Sequence, residues 1–269
     1  RQSLYRNFFD PYAREWQNGN SRWDLINLLR MTYALRPTGM VWPKRDDGKP
    51  SFTLVNMAEA NGLSHENAHD ALSDIEATIS LAKLVKTVQS KLFDYHFQMR
   101  KKPPVLELLY PLGKNPILLV QPFFDPSDRY LAPILPLLAH PMNQNSVVCL
   151  DLRQDPERYR LLTGDALTEF LLPPRVPGQR SAPSVVQMVQ INRCPPIAPI
   201  NTLPTDLAQG LSWSVAALTG FVKQIQSNPR IQGALIEALR QPPATSVKDA
   251  EFQLYGGGFV SDVDRGRFP

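Results

Sequence analysis

The chain has 269 residues, a formal net charge of +4, 43% hydrophobic residues and 20% charged residues. This is globular composition for one or two domains, and it excludes disordered and fibrous chains. Mild basicity permits a nucleic-acid partner without requiring one, and two isolated cysteines, Cys149 and Cys194, exclude zinc fingers and disulfide scaffolds.

Residues 1–42 carry two helical patterns. Tyr5, Phe8 and Phe9 precede Asp10-Pro11, a turn or a helix start. Ser21 to Leu35 reads as an amphipathic helix with Trp23, Ile26, Leu28, Leu29 and Tyr33 at helical spacing, capped by Ser21 or Asn20. The polar turn PKRDDGKP at 43–50 follows, then a short helix from Val55 to Asn61 ended by Gly62. From Glu66 to about Val88, the pattern Ala68, Leu72, Ile75, Ile79, Ala82, Leu84, Val85 predicts one long amphipathic helix.

After Pro103-Pro104 the character changes. Short apolar runs (VLELLYPL, PILLVQPFF, LAPILPLLA, SVVCLDL, SVVQMVQI) are separated by prolines and polar turns, which predicts a small all-β domain. A helical stretch is inserted near 156–170, and helical periodicity returns over 201–247, with Trp213, Val215, Leu218 and Val222 on the core face. No run approaches 18 apolar residues, so no membrane span is expected. Two isolated cysteines fit a reducing cytosol, and the first residues, Arg1-Gln2-Ser3-Leu4, carry neither Met nor an apolar leader, so the chain reads as cut from something longer.

His69 and Asp74 are the sharpest candidates for chemistry. A five-residue step turns a helix through about 500°, leaving the two side chains about 140° apart. They converge on one cleft only if His69 sits at the helix entrance. Asp74 then offers hard oxygen ligands to a divalent metal, and His69 takes a proton from an attacking water. A capped helix start with solvated acids would show the same residues. Asp70 and Asp74 form an i,i+4 pair of like charges, which favours a nearby cation.

The stretch AHDALSDIEATISLAKLVK resembles the third exonuclease motif of the DEDD superfamily, in the subgroup whose His precedes the last Asp by five. YRNFFDPYAREWQNGNSRWDLINLLRMTYALRP, WP, DDGKPSF and SKLFDYHF resemble the bacterial exodeoxyribonuclease I family, with weaker matches through QINRCPPIAPINTL and QLYGGGFVSDVDR. The resemblance implies an α+β or α/β chain. A partial ribonuclease H-like exonuclease domain is expected over 1–88, an SH3-like β-barrel over 89–247 and the start of a helical domain over 248–269.

It also implies a 3′→5′ exonuclease on single-stranded DNA, with His69 as general base and Asp74 as a metal ligand in a complete site that holds two Mg²⁺ ions, acting as a monomer in repair and recombination. The family's other acidic motifs fall before Arg1, so little turnover is expected from this chain alone. The alternatives are a non-catalytic module that binds single-stranded DNA or the tail of single-stranded-DNA-binding protein, and a nuclease acting on RNA.

Arg1, Tyr12, Trp16, Arg30, Phe52 and Lys102 match positions that line the DNA path in the family. Cations there neutralise phosphates, and rings stack on unpaired bases. Read alone, Tyr12, Trp16 and Phe52 suit core packing. Thr53 stands where the family leads one to expect an Arg. Arg36 and Tyr95 match a pocket for the acidic tail of single-stranded-DNA-binding protein; read alone, they are a surface Arg and a half-buried Tyr.

Overall fold

Five apolar runs between residues 117 and 199 pair into one antiparallel sheet in the computed structural model, which describes residues 17–63, 71–174, 184–240 and 263. The strands are β1 (Ile117–Val120), β2 (Leu131–Ala139), β3 (Ser146–Asp151), β4 (Val186–Gln190) and β5 (Ile197–Pro199), in the order β4-β3-β2-β1-β5. Among the described residues β4 and β5 are the free edges, so the expected barrel is an open sheet.

Both faces of this sheet are covered, which is why its strands read as continuous apolar runs rather than alternating ones. Ile117, Leu119, Ala132, Ile134, Val147 and Cys149 pack on one side with Val105 and Leu109. Leu118, Val120, Leu131, Leu135, Val148 and Leu150 pack on the other with Met31, Ala34 and Leu35. The register of β2 against β3 shifts between Pro136 and Leu138, placing a proline at an irregularity where a missing N–H is tolerated.

The helices are α1 (Leu25–Leu35), α2 (Leu54–Ala60), α3 (Ala71–Val88), α4 (Ser90–Gln98), α5 (Lys102–Leu109), α6 (Gly164–Leu171), α7 (Thr205–Ala208), α8 (Val215–Gln226) and α9 (Pro229–Arg240). Three expectations are corrected here. Helix α1 begins after Asp24, not at Ser21, because the Asp24 carboxylate accepts from the Ile26 N–H and caps the helix. The run around Val105–Leu109 is helical, not a strand: Pro103 and Pro104 occupy the first turn of α5, where their missing N–H groups are harmless.

Helix α3 buries only part of the face expected. Val85 is buried and Leu84 packs beside it, as expected, but Ala77 and Leu81 are buried as well, while Leu72, Ile75 and Ile79 are 62%, 56% and 48% exposed. Leu81 and Val85 pack with Leu28, Leu29 and Met57. The helix is apolar along two lines, and the packing of α1 and α2 selects one. Gly39 sits against the end of α3 at φ 90, where an added Cβ would lie 2.9 Å from the Val88 Cβ, so a side chain is excluded on both counts.

Residues 22–239 form one compact unit, to which all the packing above belongs; residues 17–21, Arg240 and Val263 are the described part of a second. No helix among the described residues is long and apolar enough to cross a membrane.

Candidate nucleic-acid interface and peptide pocket

The polar turn at 43–50 closes through a bridge between Lys44 and Pro50, with Arg45 and Asp47 paired at 2.8 Å. This brings Trp42 and Phe52 within 6.1 Å, ring centre to ring centre. Tyr33 of α1 meets Trp42 at 5.3 Å and Phe52 at 5.6 Å, both edge-on. Tyr130, from the loop between β1 and β2, meets Phe52 at 6.0 Å. Edge-to-face contacts of this kind hold rings in fixed orientations.

Arginines border these rings. Arg30 lies one helical turn before Tyr33, and its buried Nε has no hydrogen-bond partner. Burial lowers its pKa, while Asp24 and then Tyr130 act in the opposite sense. The Arg129 guanidinium stands 5.9 Å from the centre of the Tyr33 ring. Rings that can stack on bases, next to guanidinium groups that can grip phosphates, are the chemistry a single strand requires.

Phe52, expected from the sequence, belongs to this ring cluster, and Arg30, also expected, stands one helical turn before its Tyr33. Lys102 is not joined to it by any described contact; its Nζ donates to Asn145 Oδ1 at 2.7 Å. Thr53 caps α2, its hydroxyl accepting from the Asn56 N–H. Arg1, Tyr12, Trp16 and His69 lie outside the described residues. Asp74 is half-buried in the first turn of α3, and no group of three potential metal ligands converges among the described residues. Trp42, Tyr130 and Arg129 were missed by sequence reasoning. The one signal was their position beside turns rich in Pro, Asp and Gly.

Arg36 and Tyr95 share a cavity of about 450 Å³, lined also by Met31, Leu35, Lys91 and Thr202. Arg36 donates to the carbonyls of Leu35 at 2.6 Å and Thr202 at 3.0 Å, fixing its side chain across the cavity wall. The Tyr95 hydroxyl donates to the Ile197 carbonyl at 3.0 Å, and burial pushes its pKa up, so it remains neutral. An apolar floor beside a fixed guanidinium suits an apolar side chain next to a carboxylate.

A further buried group escaped the sequence. His96 is fully buried on α4, and its Nδ1 accepts from Trp23 Nε1 at 3.0 Å. Its Nε2 lies 3.7 Å from Cys194 Sγ, and that thiol donates to the His96 carbonyl at 3.3 Å. Neutral imidazole with its proton on Nε2 satisfies every partner. Burial pushes the His96 pKa down to about 4 and the Cys194 thiol up to about 12.

Residues 100–241, just over half of the chain, match the family model of the exonuclease I SH3-like domain. The chain is 40% identical to the exodeoxyribonuclease I of Escherichia coli K12 over 266 residues, covering 98% of this chain and 56% of that protein. It is similar to the crystal structure of E. coli exonuclease I in complex with a dA16 oligonucleotide, with a TM-score of 0.87 and 39% identity over 98% of this chain and 56% of that one. It is also similar to the crystal structure of SSB/exonuclease I in complex with inhibitor CFAM, with a TM-score of 0.82 and 38% identity, covering 98% of this chain and 54% of that one. The chain thus spans a little over half the length of the relatives it matches.

Proposed function

The chain belongs to the exonuclease I family, and from this premise we propose that it is part of a 3′→5′ exonuclease acting on single-stranded DNA in repair and recombination, as a cytoplasmic monomer. The observation that carries the reading is the ring cluster of Tyr33, Trp42, Phe52 and Tyr130 bordered by Arg30 and Arg129. Unpaired bases expose their faces, and stacking on such rings is tolerant of sequence. Arg30 holds a phosphate beside the rings, and Lys102, Arg1, Tyr12 and Trp16 are assigned to DNA binding by the family resemblance alone.

In this reading His69 takes the proton of the attacking water, and Asp74 contributes carboxylate oxygens to metal. Two Mg²⁺ ions, when bound, would supply hydroxide and neutralise the leaving oxygen. The described residues do not by themselves make that site: Asp74 has no companions among them that complete a metal cluster, so the reaction needs further carboxylates.

The cavity of Arg36 and Tyr95 takes the acidic C-terminal tail of a single-stranded-DNA-binding protein, with Arg36 on a carboxylate and the apolar floor under a side chain. The similarity to the SSB/exonuclease I structure supports this assignment.

A 5′-labelled single-stranded oligonucleotide incubated with the chain and Mg²⁺ tests the reading on a gel. A retarded band with little or no shortening is the result expected of this chain, since the metal site needs further carboxylates. Stepwise shortening from the 3′ end would show that those carboxylates are supplied and that the chain is itself a nuclease. Neither shortening nor retardation would sink the reading.

A further inference from the structure

The loop between β1 and β2 carries two consecutive non-glycine residues in the left-handed region, Arg129 at φ 54 and Tyr130 at φ 62. Side chains are disfavoured there, and glycine would adopt either conformation freely. Such backbone persists only where the surroundings over-determine it, and here they do. The Arg129 N–H donates to the Pro126 carbonyl at 3.0 Å and the Tyr130 N–H to the Asp125 carbonyl at 3.0 Å. The Gln121 N–H closes the loop onto the Tyr130 carbonyl at 2.9 Å. Asp128 is buried, and its carboxylate accepts from the Ser212 N–H at 2.7 Å and the Ser212 hydroxyl at 2.6 Å.

All this rigidity aims two side chains at one place. Tyr130 is buried among the rings, while Arg129 is half-exposed with its guanidinium over Tyr33. Arg129 makes no side-chain hydrogen bond or ion pair with a described residue, so its donors are unspent. By contrast Arg45 is bound to Asp47 and Arg153 to Asp151. An Arg held over a ring, fixed by strained backbone and left without an anion, is built to receive one.

We propose that Arg129 is a phosphate anchor of the single-strand interface, gripping the backbone of the nucleotide whose base lies against Tyr33 and Phe52. It comes from a different element than Arg30 and Phe52, and Thr53, beside Phe52, carries no charge to do this. The inference rests on the single-strand reading above.

The test is fluorescence anisotropy of a labelled oligodeoxythymidine without metal, over a range of salt, with the whole chain and the variants Arg129→Gly and Arg129→Lys. Glycine removes the side chain and relieves the backbone, so the fold is retained. Arg129→Gly is expected to weaken binding about tenfold, the loss typical of one hydrogen bond to a charged group. The slope of log affinity against log salt should fall by about 0.7, one phosphate contact on a single strand, with a melting temperature equal to or above that of the parent. Arg129→Lys keeps the slope. An unchanged affinity and slope in Arg129→Gly, beside a parent chain that binds, overturns the anchor alone. So does weaker binding with an unchanged slope, or with a lowered melting temperature. A parent chain that does not bind overturns the single-strand reading and the anchor with it.

Discussion

Protonating His96 would place a hydrogen on Nδ1, where the Trp23 N–H already points. The folded state therefore keeps this side chain neutral, with a pKa near 4 against about 6.5 for a solvated histidine. Between those values the unfolded chain binds a proton that the folded chain refuses. Stability gained from this site is complete above about pH 6.5 and falls as the pH drops towards 4, by about 3 kcal/mol at its full extent. Urea denaturation of the chain should show this loss between neutral and mildly acid pH, and His96→Gln should flatten it; parallel curves would remove His96 as the cause. No pattern in the sequence announces the trio of Trp23, His96 and Cys194, since the three residues are distant along the chain and meet only when α4 docks. Arg30 and Phe52 were legible for the opposite reason: they sit inside the long stretches, 5–37 and 46–52, that carry the family resemblance. Thr53 was legible as a departure, and its role as the cap of α2 follows from a hydroxyl at a helix start.

At the scale of elements, apolar spacing located most helices and strands, and the core faces of α1 and α8, but the facing of α3 only in part. The strands of the sheet were found because burial on both sides leaves unbroken apolar runs. The same rule misread α5, whose residues VLELL look like a strand until the prolines before them are recognised as a helix start. In α3 two apolar lines run along one helix, and only the arrival of α1 and α2 chooses between them. The choice has a measurable consequence. Leu81→Ala, at a position with no exposure, should lower stability by about 2–5 kcal/mol through the cavity it leaves. Ile75→Ala, at 56% exposure, should change it by about 0.5 kcal/mol or less. Equal losses in thermal melts would mean that the outer line of α3 is also packed.

At the scale of the whole molecule, the cavity of Arg36 and Tyr95 is made where α1, α4 and the segment around Ala198–Thr202 meet, and its shape was not legible in a sequence that shows these parts separately. Its two principal residues were, through the resemblance alone. An acidic peptide ending in an apolar side chain should bind the chain, and Arg36→Ala should weaken it at least about tenfold, the loss expected when a charged hydrogen-bonding partner is removed. Calorimetric titration of both proteins measures this, and equal affinities would place the peptide elsewhere. Tyr95→Phe is a finer probe, since it removes only the bond to the Ile197 carbonyl and keeps the ring.

Because the walls of that cavity come from segments far apart in the chain, whatever fills it acts as a fastener between them. Linkage then makes the peptide a folding ligand: at a hundred times its dissociation constant it adds about 2.7 kcal/mol to the stability of the filled state. Its concentration would set how often α4 lifts from the sheet, and with it how often His96 and Cys194 meet solvent. Hydrogen exchange along α4 would thus rise and fall with a partner that never touches the buried histidine.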